Sequence, residues 1–359
     1  MINPKESVAK LSPYVDGNHS ARLIQNHTHI YKLDSNEPTA RPSAKVVEAI
    51  VNYVNQGPIQ WYPDVRAEIL CGKIANYTGL PTDHILSFNG SDHALECLAR
   101  TFIDKNDRVV IFQPTYDHFR VYADSCDAQR VMLSEQSEGS LTQKLMGAGS
   151  DPLRLVYLVR PNNPTGQLVP QAELEDALSQ FADTVFIVDE AYYEFCGETA
   201  AGLVSQYPNL VVTRSFSKAF GLASLRCGYL LAQPALCAMV NKIRVGKHVN
   251  ALAQVAAAAA LDDIPHMLAY VEEVRMAKAW VLRELERRGV PVISTPANFI
   301  LFRVNEPEKV LSFFENHNIY LRNRSMLPGL TGYLRLTVGS REVMGHFWNV
   351  FEKIPSQFI

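Results

Sequence analysis

The stretch LVVTRSFSKAFGLASLRCGYLLA, residues 210–232, is the most informative part of the chain for the fold. It begins and ends with the apolar runs Leu210–Thr213 and Tyr229–Ala232, which are typical of strands that are covered on both faces. Between them lies a loop of small and polar residues that carries Lys218. The segment therefore predicts two buried strands of one sheet, with an amine in the loop that joins them.

The same pattern continues upstream. Strand-like runs occur at Arg108–Phe112, Leu153–Val159 and Thr184–Val188, and Pro170–Phe181 has a proline start and apolar residues at helical spacing. This alternation predicts an α/β domain with a mainly parallel sheet. In such sheets ligands bind at the carboxyl ends of the strands, so the loops that follow the strands should converge. The loops concerned are PTY after Phe112, RPNNPTG after Val159, DEAYY after Val188 and RSFSKAF after Thr213.

A chain of 359 residues exceeds the usual size of one hydrophobic core, which predicts a large domain and a smaller one. After Asn250 the pattern changes to a long amphipathic helix. Its predicted apolar face consists of Leu268, Val271, Val274, Leu282 and Leu285. The strands Phe299–Val304 and Tyr333–Val338 and the helices Pro307–Asn316 and Glu342–Ile354 predict a small α+β unit. We expect an N-terminal arm over 1–33 that packs on the small domain or a partner, a large domain over 34–250 and a small C-terminal domain over 251–359.

Composition excludes several classes of protein. Apolar residues make up 47% and charged residues 20%, as in ordinary globular proteins, and no apolar stretch is long enough to span a membrane. The net charge of -3 offers no basic surface for nucleic acid. The beginning of the chain has no signal-like apolar core, and the six cysteines form no CxxC pair. These features predict a cytoplasmic protein without a metal site, a membrane span or a nucleic-acid partner.

Lys218 is the first candidate for chemistry. A lysine in a loop is usually solvated. Here it is flanked by Ser215 and Ser217 and followed by Arg226, a set that can hold a phosphate, while an interior position would favour the neutral, nucleophilic amine.

Asp189 ends an apolar strand, where it either caps the next loop or pairs with a protonated pyridine nitrogen. Tyr192 then lies within reach of a ring hydroxyl. Asn163, in PNNPTG, lies in a simple turn or in a rigid loop that aims its amide. Ser91 and Asp92 form a bare helix N-cap or an anion site, and Tyr116 is a core residue or stacks on an aromatic cofactor.

The joint order of these motifs resembles the fold-type I class II aminotransferases, most closely the histidinol-phosphate aminotransferases, over almost the whole chain. The matching segments are Leu11–Tyr14, Leu33–Glu37, Tyr62–Asp64, Gly90–Asp92, PTY ending at Tyr116, PNNPTG, DEAY ending at Tyr192, SKAFGLASLRCGY, Leu252–Gln254, Ala297–Phe299 and Tyr333–Gly339.

The resemblance implies a pyridoxal 5′-phosphate cofactor that Lys218 carries as a Schiff base, with Asp189 on its pyridine nitrogen and Tyr192 and Asn163 on its 3-hydroxyl. It implies a homodimer in which Tyr62 reaches the neighbouring site. It also implies that the phosphate region is lined by Ser91, Asp92, Ser215, Ser217 and Arg226.

For the substrate, the resemblance implies that Arg335 binds a carboxylate or its equivalent, that Arg322 binds a distal anion and that Tyr14 lies near that anion. Asn36, His93 and His248 are further substrate-binding candidates. His93, His248 and Asp117 depart from the family pattern, and this favours a different polar or cationic amino substrate.

We therefore expect an aminotransferase of amino-acid metabolism that moves an amino group between an amino acid, or a histidinol-phosphate-like amine, and a 2-oxo acid. The alternatives are a lyase, a cyclase or a decarboxylase on the same scaffold, and a non-catalytic cofactor-binding protein. The sequence does not distinguish the substrate, the acceptor or the pathway.

Overall fold

A seven-stranded sheet forms the centre of the structure, a computed structural model that describes residues 2–11 and 30–359. The strands in chain order are β1 Tyr31–Lys32, β2 Ile85–Phe88, β3 Arg108–Gln113, β4 Gln129–Ser134, β5 Leu155–Val159, β6 Val185–Asp189, β7 Leu210–Ser215, β8 Gly228–Ala232, β9 Val292–Ser294, β10 Phe299–Arg303, β11 Ile319–Tyr320, β12 Arg322–Asn323 and β13 Tyr333–Thr337. The large sheet has the order β2-β8-β7-β6-β5-β3-β4.

Five neighbouring strands of this sheet, β4, β3, β5, β6 and β7, are parallel, and β8 runs antiparallel to both β7 and β2. The prediction of a mainly parallel sheet is therefore confirmed. All residues of β5, β6, β7 and β8 are buried, because helices cover both faces of the sheet. The sequence analysis missed β2 and β4 at the two edges.

The α-helices of the described residues are Glu6–Ala9, Ala44–Gln56, Glu68–Thr78, Gly90–Phe102, His118–Ser125, Leu141–Met146, Gln171–Gln180, Tyr193–Cys196, Pro234–Asn241, Ala251–Leu261, Ile264–Arg287, Pro307–Glu315 and Arg341–Phe351. None of them is long and apolar enough to cross a membrane.

A second, four-stranded antiparallel sheet has the order β12-β13-β10-β9 and carries its own hydrophobic core. This confirms the small α+β unit. Among the residues near the N-terminus, Tyr31 and Lys32 pair in parallel with β11 of this unit, and Leu33 is buried in its core.

Two helices replace the single long helix that was expected after Asn250. The alanine-rich helix Ala251–Leu261 packs into the core of the large sheet, and the helix Ile264–Arg287 begins after a break at Asp263, where Pro265 suits a first turn. Leu268, predicted on the apolar face, is 53% exposed, because the buried face of this helix runs through Met267, Tyr270, Val274, Val281 and Leu285. The domain boundaries stay a prediction, and this packing favours a division after the first of the two helices.

Candidate active site

A cavity of about 430 Å³ lies between the large sheet and the small sheet. Its walls include Val159, Asp189 and Ser215, which end three neighbouring parallel strands, and Arg322 and Arg335 from the small sheet. The loops that were expected to converge therefore do so, since the carboxyl ends of parallel strands meet at one edge.

Lys218 projects its amine into this cavity. Its Nζ donates a hydrogen bond to the backbone oxygen of Ser35 at 2.9 Å and lies 5.9 Å from the centre of the Tyr192 ring. Burial lowers the pKa of Lys218 to about 8, because the charged ammonium loses its hydration. A substantial fraction of the amine is therefore neutral near pH 8 and can act as a nucleophile.

Asp189 is a buried acid of the cavity and is 4% exposed. It accepts hydrogen bonds from the Tyr157 hydroxyl at 3.2 Å and from the Ala191 amide at 3.1 Å. Burial nevertheless raises the pKa of Asp189 to about 7. A carboxylate in this position would be stabilised by a cationic ligand group such as a protonated ring nitrogen.

The hydroxyl of Tyr192 is held by two amides. Asn36 Nδ2 donates to it at 2.9 Å and Asn163 Nδ2 donates to it at 3.1 Å. Arg335 Nη1 donates to Asn163 Oδ1 at 2.7 Å and thereby fixes the orientation of that amide. Because the Tyr192 oxygen is the acceptor in both bonds, its own proton can be donated into the cavity.

The N-terminus of the helix Gly90–Phe102 lies at one end of the cavity, beside Arg226. Gly90 has a φ of +80°, and a Cβ there would lie 2.5 Å from Arg226 Nη2. A Cβ on Gly228 would lie 2.6 Å from the Ser91 amide nitrogen, so glycine allows strand and helix end to approach closely.

Side chains around this helix end could hold a phosphate. Arg226 contacts Asp92 Oδ2 at 3.1 Å and Ser217 Oγ at 3.4 Å, and Tyr116 donates to Asp92 Oδ1 at 2.8 Å. Ser91 and Ser215 also line the cavity. Hydroxyls, a guanidinium group and helix amides are the donors that phosphate oxygens require. The chemistry of the lining therefore fits a cofactor with a phosphate at this end and a basic ring nitrogen at Asp189.

Some predicted site residues lie elsewhere. His93 and His248 are absent from the lining of this cavity in the described structure: their ring centres are 4.6 Å apart behind the helix start, and His248 Nε2 lies 3.1 Å from the Ser87 oxygen. Burial lowers the pKa of both imidazoles. Tyr62 is 76% exposed, with the Lys247 amine 3.7 Å from its ring centre, and Tyr14 lies outside the described residues.

The sequence analysis missed several lining residues, among them Ser35, His118 and Arg324. Ser35 contributes a backbone oxygen, for which a sequence carries no signal. Arg324 follows Arg322 by two residues, and the alternation of side chains along an extended chain was a usable signal that both face the same way.

Comparisons with known proteins agree with this geometry. The family model of aminotransferase class I and II matches residues 28–351. The chain is 35% identical to a dihydroxyacetone phosphate transaminase from Campylobacter jejuni, over 98% of this chain and 96% of that one. It is 34% identical to histidinol-phosphate aminotransferase 2 from Carboxydothermus hydrogenoformans, over 98% of both.

The fold is similar to that of histidinol-phosphate aminotransferase from Sinorhizobium meliloti, whose crystal structure contains pyridoxal 5′-phosphate, with a TM-score of 0.86, 22% identity and 99% of both chains covered. The chain therefore belongs to the class I and II aminotransferases, a family of pyridoxal-phosphate-dependent enzymes with the type I fold.

Proposed function

We propose that this chain binds pyridoxal 5′-phosphate at Lys218 and transfers an amino group between an amino acid, or a phosphate-bearing amine, and a 2-oxo acid. The observation that carries the proposal is the placement of the half-buried Lys218 amine and the buried Asp189 carboxylate in the same cavity, with phosphate-type donors at its end. The cofactor, when bound, supplies the electron sink that makes a substrate Cα–H bond acidic.

The chain's own residues divide the remaining tasks. Asp189 would keep the pyridine nitrogen of the cofactor protonated. Tyr192 would donate a hydrogen bond to the 3-hydroxyl oxygen of the cofactor ring. The Lys218 amine would move a proton at the substrate Cα, because its pKa of about 8 lets it both accept and return a proton near neutral pH. Arg335, 3% exposed, orients an anionic group near Cα by two parallel hydrogen bonds.

The proposed substrate is anionic, in contrast to the cationic or neutral one that the departures from the family pattern suggested. Asp117 contacts Arg120 with both carboxylate oxygens at 2.9 Å, and the two histidines lie outside the cavity lining. Arg322 and Arg335 face the cavity instead. The names of the two relatives given above each specify a phosphate ester. A phosphate-bearing amine or ketone is therefore our preferred substrate class.

We further propose a homodimer. The helix Ala44–Gln56 exposes Val47, Val51 and Val54, and the following turn exposes Trp61 and Tyr62. A contiguous apolar surface of this kind is typical of a protein interface. In this arrangement Tyr62 serves the site of the neighbouring subunit. The cytoplasmic location remains a prediction from the sequence.

The test combines cofactor attachment with product analysis. We expect borohydride reduction of the purified holoenzyme to fix the cofactor to Lys218, and incubation with an amino donor to accumulate pyridoxamine 5′-phosphate, measured by absorbance and mass. Lys278 is the matched control, because burial also lowers its pKa to about 8 while its amine binds the Thr295 and Ala297 oxygens outside the cavity.

Lys218→Ala should abolish covalent labelling, and Lys278→Ala should leave it intact. Labelling of another lysine would refute the assignment of the attachment site. Release of ammonia or carbon dioxide without formation of the pyridoxamine form would replace transamination by the lyase or decarboxylase alternative.

A further inference from the structure

Three arginines share one face of the small sheet. Arg322 lies directly opposite Arg335 in the pairing of β12 with β13, and the Arg324 amide continues this pairing by donating to the Tyr333 oxygen at 3.0 Å. Side chains alternate along an extended strand, so Arg322 and Arg324 point to the same side. All three line the cavity, whereas Asn323 between them donates to Glu308 Oε1 at 2.6 Å.

The three guanidinium groups differ in burial. Arg335 binds Asn163 and the Asp34 oxygen and is 3% exposed. Arg322 and Arg324 are half-buried. The charge of Arg324 still reaches the cavity interior, because it opposes the effect of burial on the Tyr192 hydroxyl and favours a lower pKa there.

Several carboxylates of the lining have cationic partners besides these arginines. Asp92 contacts Arg226, and Glu37 contacts Lys32. Asp34 also contacts Lys32, at 3.2 Å. Among the described residues, the lining as a whole carries five cationic side chains and four carboxylates, and three of the five cations come from the small-sheet side, so this side of the cavity suits a ligand with high negative charge.

We propose that Arg324 is a specificity-determining residue: beside Arg322, the position that the family resemblance assigns to a distal anion, it adds a second guanidinium group that favours the doubly charged phosphate ester of a substrate whose reacting carbon lies near Lys218. This rests on the proposed aminotransferase function. Two guanidinium groups offer several forked donors, which a phosphate dianion with three terminal oxygens can use more fully than a carboxylate can.

A matched pair of amino donors tests the assignment. O-phospho-L-serine and L-glutamate both carry an α-carboxylate for Arg335, and they differ in the charge of the distal group. With the holoenzyme, Arg324→Gln should lower kcat/KM for O-phospho-L-serine by about ten-fold to a hundred-fold, mainly through KM. The value for L-glutamate should change by less than about three-fold, since a single distal charge gains less from the second guanidinium.

Two controls separate this role from a structural one. Arg303→Gln, at an exposed position of β10, should leave kcat/KM unchanged for both amino donors. The second pKa of a phosphate ester is about 6, so KM for O-phospho-L-serine should rise in the wild type as pH falls below about 6, and this dependence should weaken in Arg324→Gln. Arg324→Lys, which keeps the charge and loses the fork, should be intermediate.

Inorganic phosphate gives a readout independent of turnover. We expect calorimetric titration of the wild-type holoenzyme with phosphate to show binding that Arg324→Gln weakens about ten-fold or more. An equal loss with both amino donors, or unchanged phosphate binding in the variant, would overturn the role of Arg324. Absence of the pyridoxamine form with either donor in the wild type would instead refute the proposed function, and the phosphate titration would still test Arg324.

Discussion

Asp189 is buried and Lys218 is half-buried, and the pKa values of both are shifted toward neutrality, that of the acid upward and that of the amine downward. In each case burial is the first cause, because a charged group loses hydration in the interior. The charged forms of the two groups are therefore poorly stabilised until a ligand supplies a cationic group for Asp189 and a bond to the neutral amine of Lys218. This is the usual condition of residues that act on a bound cofactor.

The shift at Asp189 has a measurable effect on stability. Its pKa is about 7 in the folded chain, against 3.8 for an aspartate in an unfolded chain. Between these values the folded chain binds a proton that the unfolded chain has released, so the contribution of Asp189 to stability is fully present below pH 3.8 and is lost as pH rises towards 7. Asparagine cannot ionise and escapes this loss.

We expect cofactor-free Asp189→Asn to unfold at a higher temperature than the cofactor-free wild type at pH 8, by about 2 °C or more, with the difference shrinking towards pH 5. Differential scanning calorimetry at both pH values measures this. With added cofactor, the wild type should instead unfold at the higher temperature at pH 8, since the protonated ring nitrogen of the cofactor pairs with Asp189 only in the wild type. A difference that stays the same at every pH would show that Asp189 is not the titrating group.

At the scale of elements, the loop PNNPTG is fitted closely to the small domain. Gly166 has a φ of +76°, and a Cβ there would lie 2.3 Å from Thr295 Cβ. The same loop carries Asn163, which binds both Tyr192 and Arg335. Any displacement of the loop by a larger residue therefore moves the amide that orients Tyr192.

Gly197 provides a matched control, because its φ is +75° and no atom lies within 4 Å of the position that a Cβ would take there. Gly197→Ala should cost about 1 kcal/mol, from backbone strain alone. Gly166→Ala should cost about 1 to 3 kcal/mol more and reduce kcat/KM at least about ten-fold, because the contact with Thr295 must give way. Denaturant unfolding and steady-state kinetics of the two variants measure both effects. Equal losses would mean that the loop has room to adjust.

The central strands were predictable because continuous apolar runs such as Leu210–Thr213 have few alternatives in an α/β pattern. The edge strands β2 and β4 were missed because one has four residues and the other, QRVMLS, has only three apolar residues between exposed polar ends. The cofactor end of the site followed from motif order, whereas Arg324 was missed although it follows Arg322 by two residues and side chains alternate along an extended chain.

For the whole molecule, the proposed dimer predicts complementation between inactive subunits. We expect Tyr62→Ala and Lys218→Ala proteins, each with little activity, to regain about a quarter of the wild-type activity per site after denaturation and mixing, because half of the dimers are then mixed and one of their two sites has both residues. Activity and sedimentation after mixing measure this. Val47→Ala, on the same exposed surface, combined with Lys218→Ala provides a control that should not complement Lys218→Ala. A monomer with full activity would contradict the shared site.

The helix Ile264–Arg287 packs into the hydrophobic cores of both the large sheet and the small sheet, and so couples their relative positions. Met267 near its start belongs to the core of the large sheet, and Val274 to Leu285 belong to the core of the small one. Its 24 residues span about 36 Å. A tilt of the helix by about 5° at its N-terminal end would therefore displace its C-terminal end by about 3 Å, given that length. Arg335 of the small sheet contacts Asn163, in the loop after β5 of the large sheet, at 2.7 Å, so a displacement of the small sheet by about 3 Å would break this hydrogen bond across the cavity.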